Sequence, residues 1–130
     1  MSQNYQEWLN KVEEDEFAGN KILEGEQFPG PACFHFQQVS EKCLKALLAF
    51  HDKRIPKTHD LIVLASLIEP IVIEIRDFKT HLEFLGRYYI ETRYPGGFPI
   101  ITLKEAEKAQ KLAKEFKSFI ILFFSLKIRQ

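Results

Sequence analysis

Apolar residues recur every three to four positions along most of the chain, with polar residues between them. This spacing is typical of α-helices that bury one face, whereas half-buried strands alternate every second residue. The pattern predicts five helical stretches: Tyr5 to Leu23, Pro31 to about Asp52, a short helix that follows Thr58 and runs through Ile68, Ile71 to about Glu91, and a last helix that follows Thr102 and runs through Phe123.

Residues that start helices stand before several of these stretches. Asn4, Thr58 and Thr102 carry side-chain oxygens that can cap a helix N-terminus, and Glu105 stands at capping-box spacing from Thr102. Prolines and glycines interrupt the chain between the helical patterns. Short connections between long helices predict an all-α, up-and-down bundle of four long helices plus one short helix, with residues 1–130 forming one domain.

The start of the fourth stretch allows a second interpretation. It is rich in β-branched residues, which favour strands: Ile71, Val72, Ile73 and Ile75. The apolar positions that follow nevertheless keep helical spacing, and no hairpin turn accompanies the segment. We therefore expect a helix.

The end of the last helix is apolar on every side. Residues 119–126 include six large apolar side chains in the first six positions, whereas a bundle covers only one face of a helix. Either this end inserts deeply into the core, or a second copy of the chain covers it. We expect the second arrangement, a homodimer.

Charge and composition exclude several classes of protein. The chain has 18 basic and 18 acidic side chains, which argues against a protein that coats nucleic acid through bulk charge, and DNA is not an expected partner. The first ten residues lack a secretion signal, and the longest apolar run is far shorter than the roughly 20 residues that cross a bilayer. We expect a cytoplasmic protein without a membrane partner.

Neither the cysteines nor the isolated histidines indicate a metal site. Cys33 and Cys43 lie in one predicted helix about 15 Å apart, too far for a disulfide, and we expect both to be small buried hydrophobes. His35 and His51 lack Asp, Glu or Cys at ligand spacing. No metal and no cofactor are expected.

In the predicted second helix Gln37, Glu41 and Lys45 form a polar stripe, with the Glu–Lys order that favours an ion pair.

Four segments together resemble a known family. They are FHFQQVSEKCLKALL at 34–48, the helix start Thr-His-Asp-Leu at 58–61, Tyr-Ile-Glu-Thr-Arg-Tyr-Pro at 89–95, and the Glu-Ala opening of the last helix at 105–106. In this order, and over residues 5–121, the sequence resembles HEPN domains. The resemblance implies a helical bundle, frequent homodimers and roles around nucleotides and RNA, often beside a minimal nucleotidyltransferase partner in a toxin–antitoxin-like setting.

In toxin-like members of that family an Arg and a His four to six residues later cleave RNA across a dimer. Here Arg93 takes the place of that Arg, but Tyr94 and Pro95 follow it and no His lies downstream. Two pairs, Arg54–His59 and Arg76–His81, have the spacing of this motif. Neither pair lies at the position in the sequence where the family carries the motif. Without the aligned imidazole the mechanism lacks its acid–base group, so we expect a binding module and no catalytic residues.

The residues expected to bind a nucleotide or another anion are Arg93, Tyr94, His59, Asp60, Lys42 and Lys45. Arg93 offers a planar fork for phosphate, Tyr94 a ring for a base, and the lysines offer positive charge.

Three alternatives stay open. A metal-independent endoribonuclease would take its imidazole from His59 or His81. An interaction domain would have no ligand site. A purely structural arrangement would pair Arg93 with Asp60 or Glu41 and use Asp60 in a capping turn.

Overall fold

The described part of the computed structural model, residues 4–91 and 100–129, is helical and contains no strand. The elements, in chain order, are α1 (Tyr5–Glu24), α2 (Pro29–Phe50), α3 (Leu61–Ile68), a 3₁₀ helix (Ile73–Phe78), α4 (Lys79–Gly86), α5 (Tyr88–Glu91) and α6 (Leu103–Ile128). The predicted all-α helical bundle is confirmed.

Two of the three predicted N-caps are confirmed. The side chain of Asn4 accepts a hydrogen bond from the backbone N–H of Gln6, and that of Thr102 accepts one from Glu105. Thr58 is not the cap of α3. Asp60 takes that position, because its carboxylate reaches the first free N–H groups of the helix and Thr58 instead accepts from the N–H of Asp60.

The stretch from Ile71 to Glu91 is helical but not one helix. A 3₁₀ helix covers its β-branched start, and α4 ends at Gly86 before the single turn of α5. β-branched side chains lose rotamer freedom against the preceding turn of an α-helix, and glycine is a poor helix former. The 3₁₀ segment still buries Ile75, so the apolar spacing that predicted the helix serves the same core.

Helix α2 is the central helix of the bundle. It packs against α1, α6, α3, α4 and α5, and it is buried on nearly every side. Cys33 and Cys43 are both buried and free within it, and burial raises the pKa of the Cys43 thiol. Polar side chains of α2 are therefore enclosed as well, so each needs a partner inside the protein.

The end of α6 is half covered. Phe116, Ile120 and Phe124 are buried in the core, and Phe124 stacks on Tyr5 at a centroid distance of 5.0 Å. The opposite face exposes apolar side chains: Ile121 at 41%, Leu122 at 57%, Leu126 at 53% and Ile128 at 62%. Insertion into the core, the alternative to coverage by a second copy, thus accounts for one face of this helix end only. No helix in the described ranges has the length and apolar character needed to cross a bilayer.

Candidate functional site

A buried carboxylate lies at the centre of a polar cluster on α2. Glu41 is almost fully enclosed, and its oxygens accept hydrogen bonds from Gln37 Nε2 at 3.3 Å, Gln38 Nε2 at 3.2 Å and Lys45 Nζ at 3.1 Å. His59 Nδ1 donates to the same carboxylate at 3.1 Å. Four donors therefore surround one anion.

The cluster places two opposite charges in the core. Lys45 is only 9% exposed, and its ammonium lies 5.6 Å from the ring centroid of Trp8, where the ring face attracts a cation. Removing a charge from water is unfavourable unless it is paired and hydrogen-bonded. Glu41 and Lys45 meet both conditions, and their ion pair follows the order predicted from the sequence.

His59 connects this core cluster to the surface. Its Nδ1 faces Glu41, which accepts hydrogen bonds only, so Nδ1 carries a proton, and in the neutral form of the imidazole Nε2 is left as an acceptor. Gln37 Nε2 also donates to the His59 carbonyl at 3.1 Å. The imidazole stacks on Tyr89 with centroids 4.0 Å apart and planes 12° apart, yet 48% of the side chain stays exposed. The ring is held rigidly and is accessible.

A surface groove of about 370 Å³ lies beside this ring pair. It runs between the start of α3 and the end of α4, and it is lined by His59, Asp60, Ile62, Leu82, Glu83, Gly86 and Tyr89. The Asp60 Oδ1 atom accepts from the N–H groups of Ile62 at 2.9 Å and Val63 at 3.2 Å, so this atom caps α3. Within the part of the chain that the structure describes, no cluster of His, Cys, Asp and Glu is arranged to hold a metal ion.

The structure brings only some of the predicted site residues together. Lys45 and His59 meet on Glu41, and Asp60 follows His59 at the groove. Lys42 lies elsewhere: its Nζ contacts Asp15 of α1 at 2.7 Å, beside His35 on the same carboxylate at 2.9 Å.

The separation of Lys42 follows from helix geometry. It is one residue, about 100° around the helix, from Glu41 and therefore faces α1. Arg93 and Tyr94 lie outside the described residues. The alternative imidazole, His81, donates through Nε2 to Glu115 at 2.8 Å and is not at the groove.

A second polar cluster, between α5 and α6, was not predicted. The buried Tyr88 donates its hydroxyl hydrogen to Glu105, and Arg87 donates to the same carboxylate at 2.5 Å. Although burial alone would raise it, the pKa of Glu105 is lowered by these two hydrogen bonds. Burial and the hydrogen bond to Glu105 raise the pKa of Tyr88. The cluster ties two helices together. The Glu105 carboxylate also accepts a hydrogen bond from the backbone N–H of Thr102, which completes the predicted capping box.

Sequence reasoning missed three residues of the site. Glu41 was identified as an ion-pair partner, but its role as the acceptor for His59 was not, because the contact joins positions 18 residues apart. Tyr89 stands first in the segment at 89–95 and was given no role in the site, and Glu83 gave no signal. The available clue was the polar stripe itself, since carboxylate and amide groups at helical spacing on a strongly apolar helix need internal partners.

One comparison with known proteins identifies a family, and two solved structures share the fold. The family model described as HEPN domain matches residues 5–122. The crystal structure of TT1696 from Thermus thermophilus is similar with a TM-score of 0.80 and 27% identity, over 92% of this chain and 97% of that one.

The structure of ST0689, described as an archaeal HEPN homologue, is similar in fold with a TM-score of 0.72 and 24% identity, over 91% of this chain and 95% of that one. The search of curated proteins finds no match.

Proposed function

The chain belongs to the HEPN domain family, and on this premise we propose that it is a cytoplasmic, homodimeric binding module for a nucleotide or RNA, acting beside a minimal nucleotidyltransferase in a toxin–antitoxin-like setting. The observation that carries the proposal is the accessible imidazole of His59, fixed by the buried Glu41 and stacked on Tyr89. A nucleobase can stack on a rigid pair of rings beside a groove, and any base can do so because every base has a π-face.

The phosphate group needs a cation that the described groove does not supply. Lys45 is neutralised by Glu41, and Lys42 by Asp15. In the proposal Arg93 therefore binds the phosphate and Tyr94 adds a ring, in line with their place shortly after Tyr89 in the sequence. This division of roles assigns the base to His59 and the charge to Arg93.

Calorimetric titration with nucleoside monophosphates tests the proposal. We expect binding by the unmodified chain, and its loss in both His59→Ala and Arg93→Ala, with the helical circular dichroism spectrum retained. His51→Ala is the matched control, since His51 is a half-buried histidine at the C-terminal end of α2 whose Nδ1 donates to the Leu47 carbonyl. Absence of binding by the unmodified chain, or equal loss in His51→Ala, refutes a site at His59.

The homodimer is proposed to form through the exposed apolar face of α6. This face presents Leu122 and Leu126, each more than half exposed, and adjoins a groove of about 490 Å³ lined in part by Ile121 and Leu122. Light scattering coupled to size exclusion should give twice the 15.2 kDa chain mass, and Leu122→Glu should reduce it to one chain. Ile100→Glu, at a side chain that is 90% exposed and outside this face, should leave the dimer intact. A single-chain mass for the unmodified protein refutes the dimer.

The partner protein has its own test. Co-expression with the nucleotidyltransferase encoded beside this chain, where one is present, should yield a complex that co-elutes through size exclusion. Separate elution of the two proteins at micromolar concentration would remove this part of the proposal.

One observation favours a second candidate, a metal-independent endoribonuclease. The Glu41–His59 contact orients an imidazole with Nε2 left as an acceptor, which is the arrangement of a general base. Incubation of RNA with the protein in EDTA separates the two candidates. The binding module leaves RNA intact, whereas cleavage that is abolished by His59→Ala and kept in His51→Ala establishes the endoribonuclease.

A further inference from the structure

We infer that the groove beside His59 selects guanine among the nucleobases and that Glu83 reads the base edge. This inference rests on the proposed nucleotide binding and adds the identity of the base. It follows from the hydrogen-bonding groups that line the groove.

The described walls of the groove offer hydrogen-bond acceptors and no cationic side chain. The Glu83 carboxylate is exposed at the groove and makes no hydrogen bond or ion pair with any described residue, whereas an oxygen of Asp60 is committed to the N-terminus of α3. Both Glu83 oxygens are therefore available. A ligand group that faces Glu83 has to supply donors, because an acceptor there would be repelled.

Guanine is the common base whose edge best fits such a carboxylate. Its ring N1–H and its 2-amino group are adjacent donors that match two carboxylate oxygens. Adenine and cytosine place one amino group beside a ring nitrogen that accepts, and uracil places its single N–H between two carbonyls. Each of these three bases would set at least one acceptor against Glu83.

The other walls suit a flat ring. Ile62 and Leu82 supply apolar surface, and the His59–Tyr89 pair supplies aromatic surface that the buried Glu41 holds in place. Stacking contributes roughly 1–3 kcal/mol per base without sequence preference. Stacking therefore supports binding of any base, and the Glu83 contact supplies the selection.

Titration with GMP, IMP, AMP and UMP tests the inference, with Glu83→Gln as the variant and Glu74→Gln as its control. IMP keeps the N1–H of GMP and lacks the 2-amino group, so it isolates one of the two hydrogen bonds. We expect GMP to bind most tightly, IMP more weakly, and Glu83→Gln to weaken GMP binding roughly tenfold without weakening AMP binding, because the Gln amide can donate to the adenine ring nitrogen that the carboxylate repels. Glu74 is exposed on the 3₁₀ helix away from the groove, so its variant should match the unmodified chain.

The outcomes separate the inference from the function on which it rests. Equal affinities for all four nucleotides, or no effect of Glu83→Gln on GMP, overturn guanine selection and leave nucleotide binding standing. Absence of binding by every nucleotide overturns both. Argininamide presents a similar pair of donors and adds a positive charge. If argininamide binds more tightly than guanosine, the inference is overturned, and the occupant of the groove is a protein side chain.

Discussion

Replacing Glu41 by Gln removes the anion on which the buried polar cluster depends. Gln keeps the volume and one acceptor oxygen, but Lys45 is then a buried cation without a counter-ion. Breaking a buried ion pair from one side costs about 3–5 kcal/mol, and a domain of this kind is stable by only about 5–15 kcal/mol. We expect Glu41→Gln to lower the free energy of unfolding by about 3 kcal/mol, because Gln retains part of the hydrogen bonding.

A double-mutant cycle attributes this loss to the ion pair. Lys45→Met retains the aliphatic stem against Trp8 and removes the charge. Combined with Glu41→Gln it leaves no unpaired charge, so the double variant should lose about 1–3 kcal/mol less than the sum of the single variants.

Urea titrations followed by circular dichroism at the helical minimum give the free energies of unfolding of both single variants and of the double variant. Glu14→Gln is the control for removal of a carboxylate, since Glu14 forms an exposed pair with Lys11 at 4.0 Å and should change stability by less than about 0.5 kcal/mol. Additive single variants, or a Glu41→Gln variant as stable as the control, would refute the coupling of Glu41 to Lys45.

Three further predictions follow from packing and protonation. Because the pKa of Glu105 is lowered by folding, its contribution to stability is complete above the ordinary value of 4.5 and is lost as the pH falls through the folded-state value, so acid unfolding should be shallower in Glu105→Gln. The Cys43 thiol, whose pKa burial raises, should react with Ellman's reagent at pH 8 only as fast as the protein unfolds, and rapid labelling of folded protein would contradict its burial. Gly19→Ala should lose about 1–3 kcal/mol, because its Cβ would lie 2.7 Å from the ring of Phe36, whereas Gly30→Ala should be neutral or slightly stabilising in the same urea assay.

The amphipathic helices could be predicted because local spacing determines which face is buried. The helices α1 and α2 begin and end within about two residues of the predicted bounds. Helix α6 begins directly after Thr102 as predicted but extends to Ile128, five residues beyond Phe123. The caps at Asn4 and Thr102 depend only on neighbouring residues. The division of the segment that follows Ile71 was not predicted. The same apolar spacing can bury a 3₁₀ segment or an α-helix against the core. Which of the two helix types forms depends on tertiary packing.

The site was less accessible to sequence reasoning, since it joins residues from three separate segments. His59 and Asp60 were identified from their motif, but Glu41 was interpreted as part of a stripe. Lys42 was grouped with Lys45 on charge alone. Both approach α1, Lys42 at Asp15 and Lys45 at the ring of Trp8, but Lys42 pairs with Asp15 whereas Lys45 pairs with Glu41. The charge of a side chain in a buried helix predicts that it needs a partner of opposite charge. The packing of α1 and α3 on α2 determines which residue becomes that partner.

The most direct test of a nucleotide site at His59 is an NMR titration of the protein with GMP. The imidazole signals are recorded through long-range nitrogen–proton correlations. The chain has four histidines, so His35, His51 and His81 serve as internal controls in one spectrum. We predict that the ring signals of His59 show a proton on Nδ1 before GMP is added and shift on binding, while those of the other three histidines stay in place. Bound GMP with unshifted His59 signals, or a proton on Nε2 alone in the free protein, would contradict this prediction.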